Sequence, residues 1–413
     1  MVSFLWSALS PSSRDNKWGQ VMFDAIVTYS DDIDTEDAID EILQACDDQL
    51  QGRVPTAGVL FCGTEYDHKV VLGRVYQRFP GLQLIGCTTD GEMSSCGGFT
   101  EDAITFTLLC SDNIKISAGY GEKAGAEPRA AAAAAVSMAR AGLDGDPVLA
   151  IVLPDGLTSS AFRILEGLGE VLGTGVPVVG GMSADRVAGA KDHYTTYQFI
   201  GNQVLTDAVP VLLFSGPLIY SLGVESGWMP IGEKMTVTRS EANVLFALDD
   251  KPAFDLYVHY LGDVMKESMA GIGAYPLAVF EPGLDHYYLR VAKKSDPQTG
   301  AITFLGEIPE GAQVQITQAV RDNVMNGVSE SVKKALGNYR GEQPGVAMMF
   351  SCTGRKIALG TKAREEISRV RAGLAPGLPM TGVYTFGEIG PVSDHTRARY
   401  HNTTFVTLLL GEK

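Results

Sequence analysis

The sequence lacks a cysteine framework. Its six cysteines, at positions 46, 62, 87, 96, 110 and 352, are scattered through 413 residues with no C-x-x-C or C-x-x-C-H spacing. That argues against a disulfide scaffold, a thiol-redox motif, a zinc knuckle and covalent haem attachment, and most of the thiols read as reduced core residues. The six histidines form no H-E-x-x-H pattern. A G-x-G-x-x-G fingerprint behind a strand-like run is missing, as is a Walker loop, and "GLGEVLGTG" (167–175) reads as helix packing followed by a stop. Basic residues are scarce: 33 Lys and Arg against 49 Asp and Glu give a formal net charge of -16 and a pI near 4.8, with no basic stripe. Phosphate backbones and anionic lipid would be repelled, which argues against nucleic-acid and membrane-surface partners. The longest uncharged stretch, 208–224, is interrupted by Pro210, Gly216 and Pro217 and falls short of the roughly 20 apolar residues of a spanning helix. It reads as strand and turn. The opening "MVSFLWSALSPSSRDNKWG" has no leading basic residues and no small-residue cleavage pattern, so no signal peptide is expected and the cytoplasm is the expected compartment.

What is present is a unit that occurs three times. It runs "AGVLFCG" (57–63), a helix with Val71, Leu72, Val75 and Phe79 on one face, then "LQLIGCTTDGE"; next "PVLAIVLPDG" (147–156), a helix with Ala161, Leu165, Leu168 and Leu172, then "VPVVGGMSAD"; finally "GVAMMFSCTGR" (345–355), a helix with Ala363, Ile367, Val370 and Leu374, then "LPMTGVYTFGE". Apolar residues three or four apart argue for helices, and short apolar runs argue for strands. Each unit is strand, helix, strand, glycine turn, and each is followed by a further apolar strand at 103–109, 209–216 and 403–410. The glycines recur at 86, 180 and 382, and an acid follows at Glu92, Asp185 and Glu388.

Elsewhere, "DAIVTYS" (24–30) reads as a strand, and "DTED" starts a helix carrying Ile39, Leu43, Cys46 and Leu50 that stops at Gly52. The alanine run 130–135 reads as a packing helix. Beyond about Leu245 the pattern changes: a helix-like "LDDKPAFDLYVHYLGD", strands flanking the turn "SDPQTG", then a second helix. The expected architecture is α/β, in two domains of mixed β-sheet with packed helices, 1–244 and 245–413.

Glycine lets a turn adopt positive φ or approach a ligand closely, and strand ends in α/β units are where crevices form. A carboxylate there can face an ammonium group or a cation, or can merely cap the turn. Near the third turn, "FSCTGRK" places Ser351, Cys352 and Arg355 at a strand end, and "RARYHNTTF" places His401 and Asn402 before the last strand. If these meet, Arg355 and Glu388 would grip a zwitterion.

"SCTGR", "GVYTFGEIGP" and "HNTTF" together resemble the C-terminal domain of the FIST family (F-box and intracellular signal transduction proteins). "GCTTDGEM", "VVGGMSAD" and "VPVLLFSG" resemble its N-terminal domain, and 287–317 resembles the middle of the C-terminal one. The resemblance implies a sensory module that binds small molecules, amino acids among them, with Cys352, Arg355, Gly387, Glu388, Asn402, Gly86, Gly91 and Glu92 carried over by motif. The expected ligand-binding set is Cys87, Thr88, Asp90, Glu92, Ser183, Asp185, Cys352, Arg355, Glu388 and Asn402. Because "LLLGEK" directly follows the last strand, output through a separate partner such as a histidine kinase is expected. An alternative carried by the resemblance alone is a haem-binding nitric oxide sensor, with His193, His286, His395 or His401 as axial ligand. An enzyme using Cys352 as nucleophile, His395 or His401 as base and Asp394 or Glu388 as orienter is the weakest reading, and no catalytic activity is expected.

Overall fold

The structure, a computed structural model, describes residues 23–187, 193–262, 271–284, 286–296, 298–392 and 397–413. The chain opens with β1 (Asp24–Ser30) and α1 (Thr35–Leu50). Asp34 caps that helix, accepting from the N–H groups of Glu36 at 2.9 Å and Asp37 at 3.2 Å. Ile39, Leu43, Cys46 and Leu50 are all buried along one face, as their spacing predicts. The unit continues through β2 (Ala57–Cys62), α2 (His68–Arg78), β3 (Gln83–Thr88), the short strands β4 (Glu92–Ser94) and β5 (Gly98–Thr100), and β6 (Ile104–Cys110).

The second unit repeats that order with β7 (Lys115–Glu122), α3 (Pro128–Ala141), β8 (Leu149–Val152), α4 (Ala161–Leu172), β9 (Val178–Gly181), β10 (Gln198–Ile200), β11 (Gln203–Leu205) and β12 (Ala208–Ser215). The third starts with β13 (Leu218–Glu225). An inserted nine-stranded sheet follows, from β14 (Trp228–Pro230) to β22 (Gln313–Ala319), with α5 (Phe254–Leu261) packed on it. The unit then resumes with α6 (Arg321–Asn338), β23 (Val346–Cys352), α7 (Thr353–Leu359), α8 (Glu366–Gly373), β24 (Met380–Thr385), β25 (Glu388–Gly390), β26 (Arg399–His401) and β27 (Phe405–Glu412). The single helix expected in this unit is split at Gly360, whose φ of 58° ends α7. The division expected after residue 244 falls inside one strand of the insertion, β16 (Val244–Leu248).

The chain is α/β throughout, with mixed sheets carrying helices, and the unit read from the sequence is its building block. In each unit the second and third strands are parallel, the last strand runs antiparallel beside the second, and the first runs antiparallel beside the last. The inner faces of the three sheets meet in one core that includes Val59 and Ile85, Ile151 and Leu212, and Met348 and Val406. The outer faces are covered by each unit's own helices.

The sequence did not announce how the sheets close. After its glycine turn, each unit crosses to another unit's sheet and adds a strand there. β4 pairs with β24, β25 with β9, and β10 with β3. The recurrent glycine sits opposite the second residue of the incoming strand every time: Met93 faces Gly382, Ile389 faces Gly180, and Phe199 faces Gly86. A Cβ at Gly86 would lie 2.1 Å from the Leu60 carbonyl and 2.9 Å from the Phe199 ring, so the glycine is a requirement of the junction. Gly86→Ala should destabilise the protein by about 1–3 kcal/mol through overpacking. Gly73→Ala, on α2 with open space at its Cβ position, should stabilise by about 0.5–1 kcal/mol. Equal midpoints for the two variants in urea denaturation would refute the junction's role.

Candidate functional site

The glutamates that follow the glycine turns are the first residues of the exchanged strands. Both are completely buried. Glu92 accepts a short hydrogen bond from Thr89 Oγ1 and another from the Ala103 N–H at 3.3 Å. Glu388 accepts from Thr385 Oγ1 at 3.0 Å, from the Thr404 N–H at 3.1 Å and from Thr404 Oγ1 at 2.6 Å. Each carboxyl thus ties the hydroxyl three residues before it to the backbone entering its unit's last strand. The turns that present them need Gly91 and Gly387, whose φ values are 132° and 131°.

The second unit fills the same place with Gln198. Its Nε2 donates to Ser183 Oγ at 2.8 Å and its Oε1 accepts from the Ala208 N–H at 3.2 Å. An amide therefore does what the two carboxyls do, with Nε2 where the other units have Oε1. Asp185, expected from the sequence to be the second unit's equivalent acid, is instead held by Thr64 Oγ1 at 2.8 Å and the Thr195 N–H at 2.9 Å. Burial pushes Glu92 and Glu388 up to about 8, against the pull of their hydrogen bonds. Asp102 adds to the rise at Glu92, while Lys356 and Arg355 oppose it at Glu92 and Glu388 respectively. At neutral pH each is then mostly a neutral acid, uncharged like the Gln198 amide that fills the same place.

The zwitterion grip expected between Arg355 and Glu388 is not formed. Arg355 is fully buried and spends its donors within the fold: Nε and Nη2 bond Glu366 Oε1 at 3.0 and 2.8 Å, Nη2 also reaches the Val324 carbonyl at 2.8 Å, and Nη1 reaches that of Ser226. Glu366 also receives Ser351 Oγ at 3.0 Å and Tyr384 OH at 2.5 Å. The remaining expected residues are likewise internal. Cys87 lies in the shared core. Thr88 Oγ1 accepts from the Tyr197 N–H at 3.0 Å, and Asp90 pairs with Lys356 at 2.9 Å. Asn402 Oδ1 accepts from the Val291 N–H at 3.2 Å, tying the third unit to the insertion. Burial pushes the Cys352 thiol well above its ordinary value, with Glu388 adding to the rise, which disfavours a thiolate nucleophile. Burial lowers His401 to about 4, and its Nε2 contacts the Gly390 carbonyl at 2.8 Å. Asp394 and His395 lie outside the described residues, and His193 is exposed.

A cleft of about 990 Å³ opens elsewhere, between α4, the inserted sheet and β26. None of the ten expected residues lines it. On its floor is Arg290, at the end of β19 (Tyr288–Arg290) and 6% exposed. Its Nε donates to the Glu307 carbonyl at 2.9 Å, and its Nη1 to those of Leu289 at 2.9 Å and Tyr400 at 3.1 Å. The guanidinium stacks on Tyr288, 4.2 Å from the ring centroid. Among the described residues no carboxylate pairs with it. Glu281, an acid lining the same cleft, is held by Arg399 at 2.9 Å and Tyr288 OH at 2.5 Å. Gly306 makes the seat, since a Cβ there would come within 2.8 Å of Arg290 Nε. The arrangement leaves Nη2 to receive an anion. Sequence reasoning passed over Arg290; its signal was a lone arginine inside the apolar "YYLRV" strand.

Comparison with known proteins fits this architecture. The FIST N domain matches residues 56–251 and the FIST C domain matches residues 253–391. The chain belongs to the FIST family. FIST domains are associated with sensing in signal transduction. An uncharacterized protein of Mycobacterium tuberculosis is 29% identical over 262 residues, 60% of this chain, and the chain covers only 64% of that relative. An uncharacterized Mycobacterium bovis protein is 23% identical over 84% of this chain and 88% of its own length. A Methanocaldococcus jannaschii protein, also uncharacterized, is 24% identical over 72% of this chain and 59% of its own length.

Two solved cyanuric acid hydrolases, one of them from A. caulinodans, align over 95% of this FIST chain and all of their own. Their TM-scores are 0.37 and 0.33, at 10% and 9% identity. Both are enzymes, so the expectation that catalysis is excluded does not stand; at these scores the likeness carries no argument for any particular activity. Among the described residues, no helix is long and apolar enough to cross a membrane.

Two outcomes test the internal roles. Because Glu92 and Glu388 are raised from 4.5 to about 8 in the folded protein, the stability they contribute is complete below their unfolded pKa and is lost as pH rises through the folded one. Stability should fall roughly between pH 5 and 8, by up to about 1.4 kcal/mol per pH unit for each carboxyl. Glu92→Gln with Glu388→Gln should flatten that slope in urea denaturation, and an unchanged slope would sink the neutral-acid assignment. Arg355→Ala should cost about 3–5 kcal/mol by stranding buried Glu366; a loss below about 1 kcal/mol would contradict its structural role.

Proposed function

We propose that this FIST protein is a sensor whose ligand is a small carboxylate-bearing metabolite, amino-acid-like in its chemistry, seated in the cleft on Arg290. The observation that carries the reading is the guanidinium itself. It is buried, fixed by three carbonyl bonds and a stacked tyrosine, and without a carboxylate partner among the described residues. A cation held that way is costly unless an anion completes it, and a preorganised fork suits a carboxylate better than a flexible ammonium would.

The cleft's walls come from different parts of the chain: α4 of the second unit, the inserted sheet, and the strand β26 of the third unit. A ligand touching all of them would favour one placement of the insertion against the three-unit body, shifting a population that a separate signalling protein reads. Output through such a partner belongs to this proposal.

Differential scanning fluorimetry against a panel of carboxylates, amino acids and short peptides tests it. A binder at about one hundred times its Kd should add roughly 2.7 kcal/mol of stability. Arg290→Lys, which keeps the charge and loses the fork, and Gly306→Ala, which crowds the guanidinium, should both abolish the shift. Undiminished shifts in both variants, or a panel that leaves the wild type unmoved, would overturn the reading.

A further inference from the structure

Beside Arg290 the same cleft carries a second charged side chain without a direct partner. Glu307 lines the cleft, and its carboxylate makes no hydrogen bond or ion pair among the described residues, although its own backbone carbonyl takes the Arg290 Nε at 2.9 Å. The two side chains are therefore fixed to one another through the backbone while their charges stay unpaired. The neighbouring acids are already committed: Glu166 pairs with Arg163 at 2.8 Å, Glu170 pairs with Arg129, and Glu310 accepts the Ser240 N–H at 2.9 Å. Burial raises the Glu307 carboxyl, Arg163 and Arg290 pull against that, and Glu166 adds to it.

The size of the cleft narrows the ligand. At about 990 Å³ it stands at the upper end of the roughly 300–1,000 Å³ typical of pockets for drug-sized molecules, far more than one amino acid fills. Apolar residues share the lining with the charged ones, among them Phe162, Leu165, Tyr288, Ile308 and Pro309, and Phe162 remains 40% exposed. Gly169 and Gly173 on the α4 side have nothing within 4 Å of their Cβ positions, which keeps that wall open.

We infer that the occupant is a short unmodified peptide with apolar side chains, its carboxylate on Arg290 and its terminal ammonium on Glu307. This rests on the reading of Arg290 given above and adds the ammonium site and the ligand's length. The apolar walls receive the side chains between the two charged ends. Glu307 sets the requirement for a free amino terminus, because an acetylated one would leave its carboxylate desolvated and unpaired.

Isothermal titration with leucine- and phenylalanine-containing tripeptides, each free, N-acetylated or C-amidated, and with free leucine and phenylalanine, tests the assignment. The free tripeptides should bind at least about tenfold tighter than either blocked form and than the single amino acids. Glu307→Gln should erase the discrimination against N-acetylation and keep that against C-amidation, while an unchanged melting temperature shows the variant folded. Equal binding of free and N-acetylated tripeptides to the wild type would overturn the ammonium site and leave the Arg290 reading intact. Single amino acids binding as tightly as tripeptides would overturn the length assignment. Equal binding of free and C-amidated tripeptides would instead defeat the Arg290 reading itself.

Discussion

Each of the three sheets is completed by a strand that arrives from another unit, and this exchange governs both the burial of the core and the chemistry of the turns. A crossing strand must leave its own sheet, pass through the junction and enter the next sheet without stranding polar groups. Glycine at 86, 180 and 382 lies opposite the second residue of the incoming strand, where a Cβ would collide with Leu60, Val152 or Met349 of the neighbouring parallel strand. The residue that leads each crossing then secures the turn behind it and the first N–H near the unit's last strand. Two units use glutamate and one uses glutamine for that task. The amide is the informative member, because it shows that the position works without charge.

With those acids spent on the architecture, recognition falls to the part of the chain that breaks the repetition. The insertion between β13 and α6 occurs in the third unit alone, and its sheet stands against the second unit's α4 to form the cleft. There the polar groups are not mutually satisfied: Arg290 is held by carbonyls, and Glu307 faces the same space. Within the three-unit body, by contrast, Arg355 with Glu366 and Lys356 with Asp90 are paired. Unmatched charge at the boundary of two structural parts is where a ligand can both bind and move something.

Much of the fold was legible in the sequence. Helix faces such as Ile39, Leu43, Cys46 and Leu50 follow from periodicity, the threefold recurrence of the unit is visible in its apolar runs, and Ala208–Ser215 is the strand expected ahead of the Gly216–Pro217 turn. The closure was hidden because strand exchange leaves no local signal: β4 and β25 are three residues each. Gln198 escaped notice because the second unit inserts extra residues between its turn and its crossing strand, so that Asp185 took its place in the spacing. The candidate site was read less well. Acid, guanidinium and thiol do gather near the third turn, but pattern alone cannot tell a carboxylate facing a ligand from one facing Thr385 and Thr404. The lone Arg290 looked like any strand residue until its partners, all carbonyls, were known.

The central claim is that the glycine turns build the body while the cleft between the insertion and α4 receives the ligand. Hydrogen–deuterium exchange with and without a saturating free tripeptide tests it most directly. The account predicts added protection over residues 162–173, 287–291 and 305–310, and none over 86–94 or 380–390. Protection confined to the glycine turns, with the cleft unchanged, would contradict it.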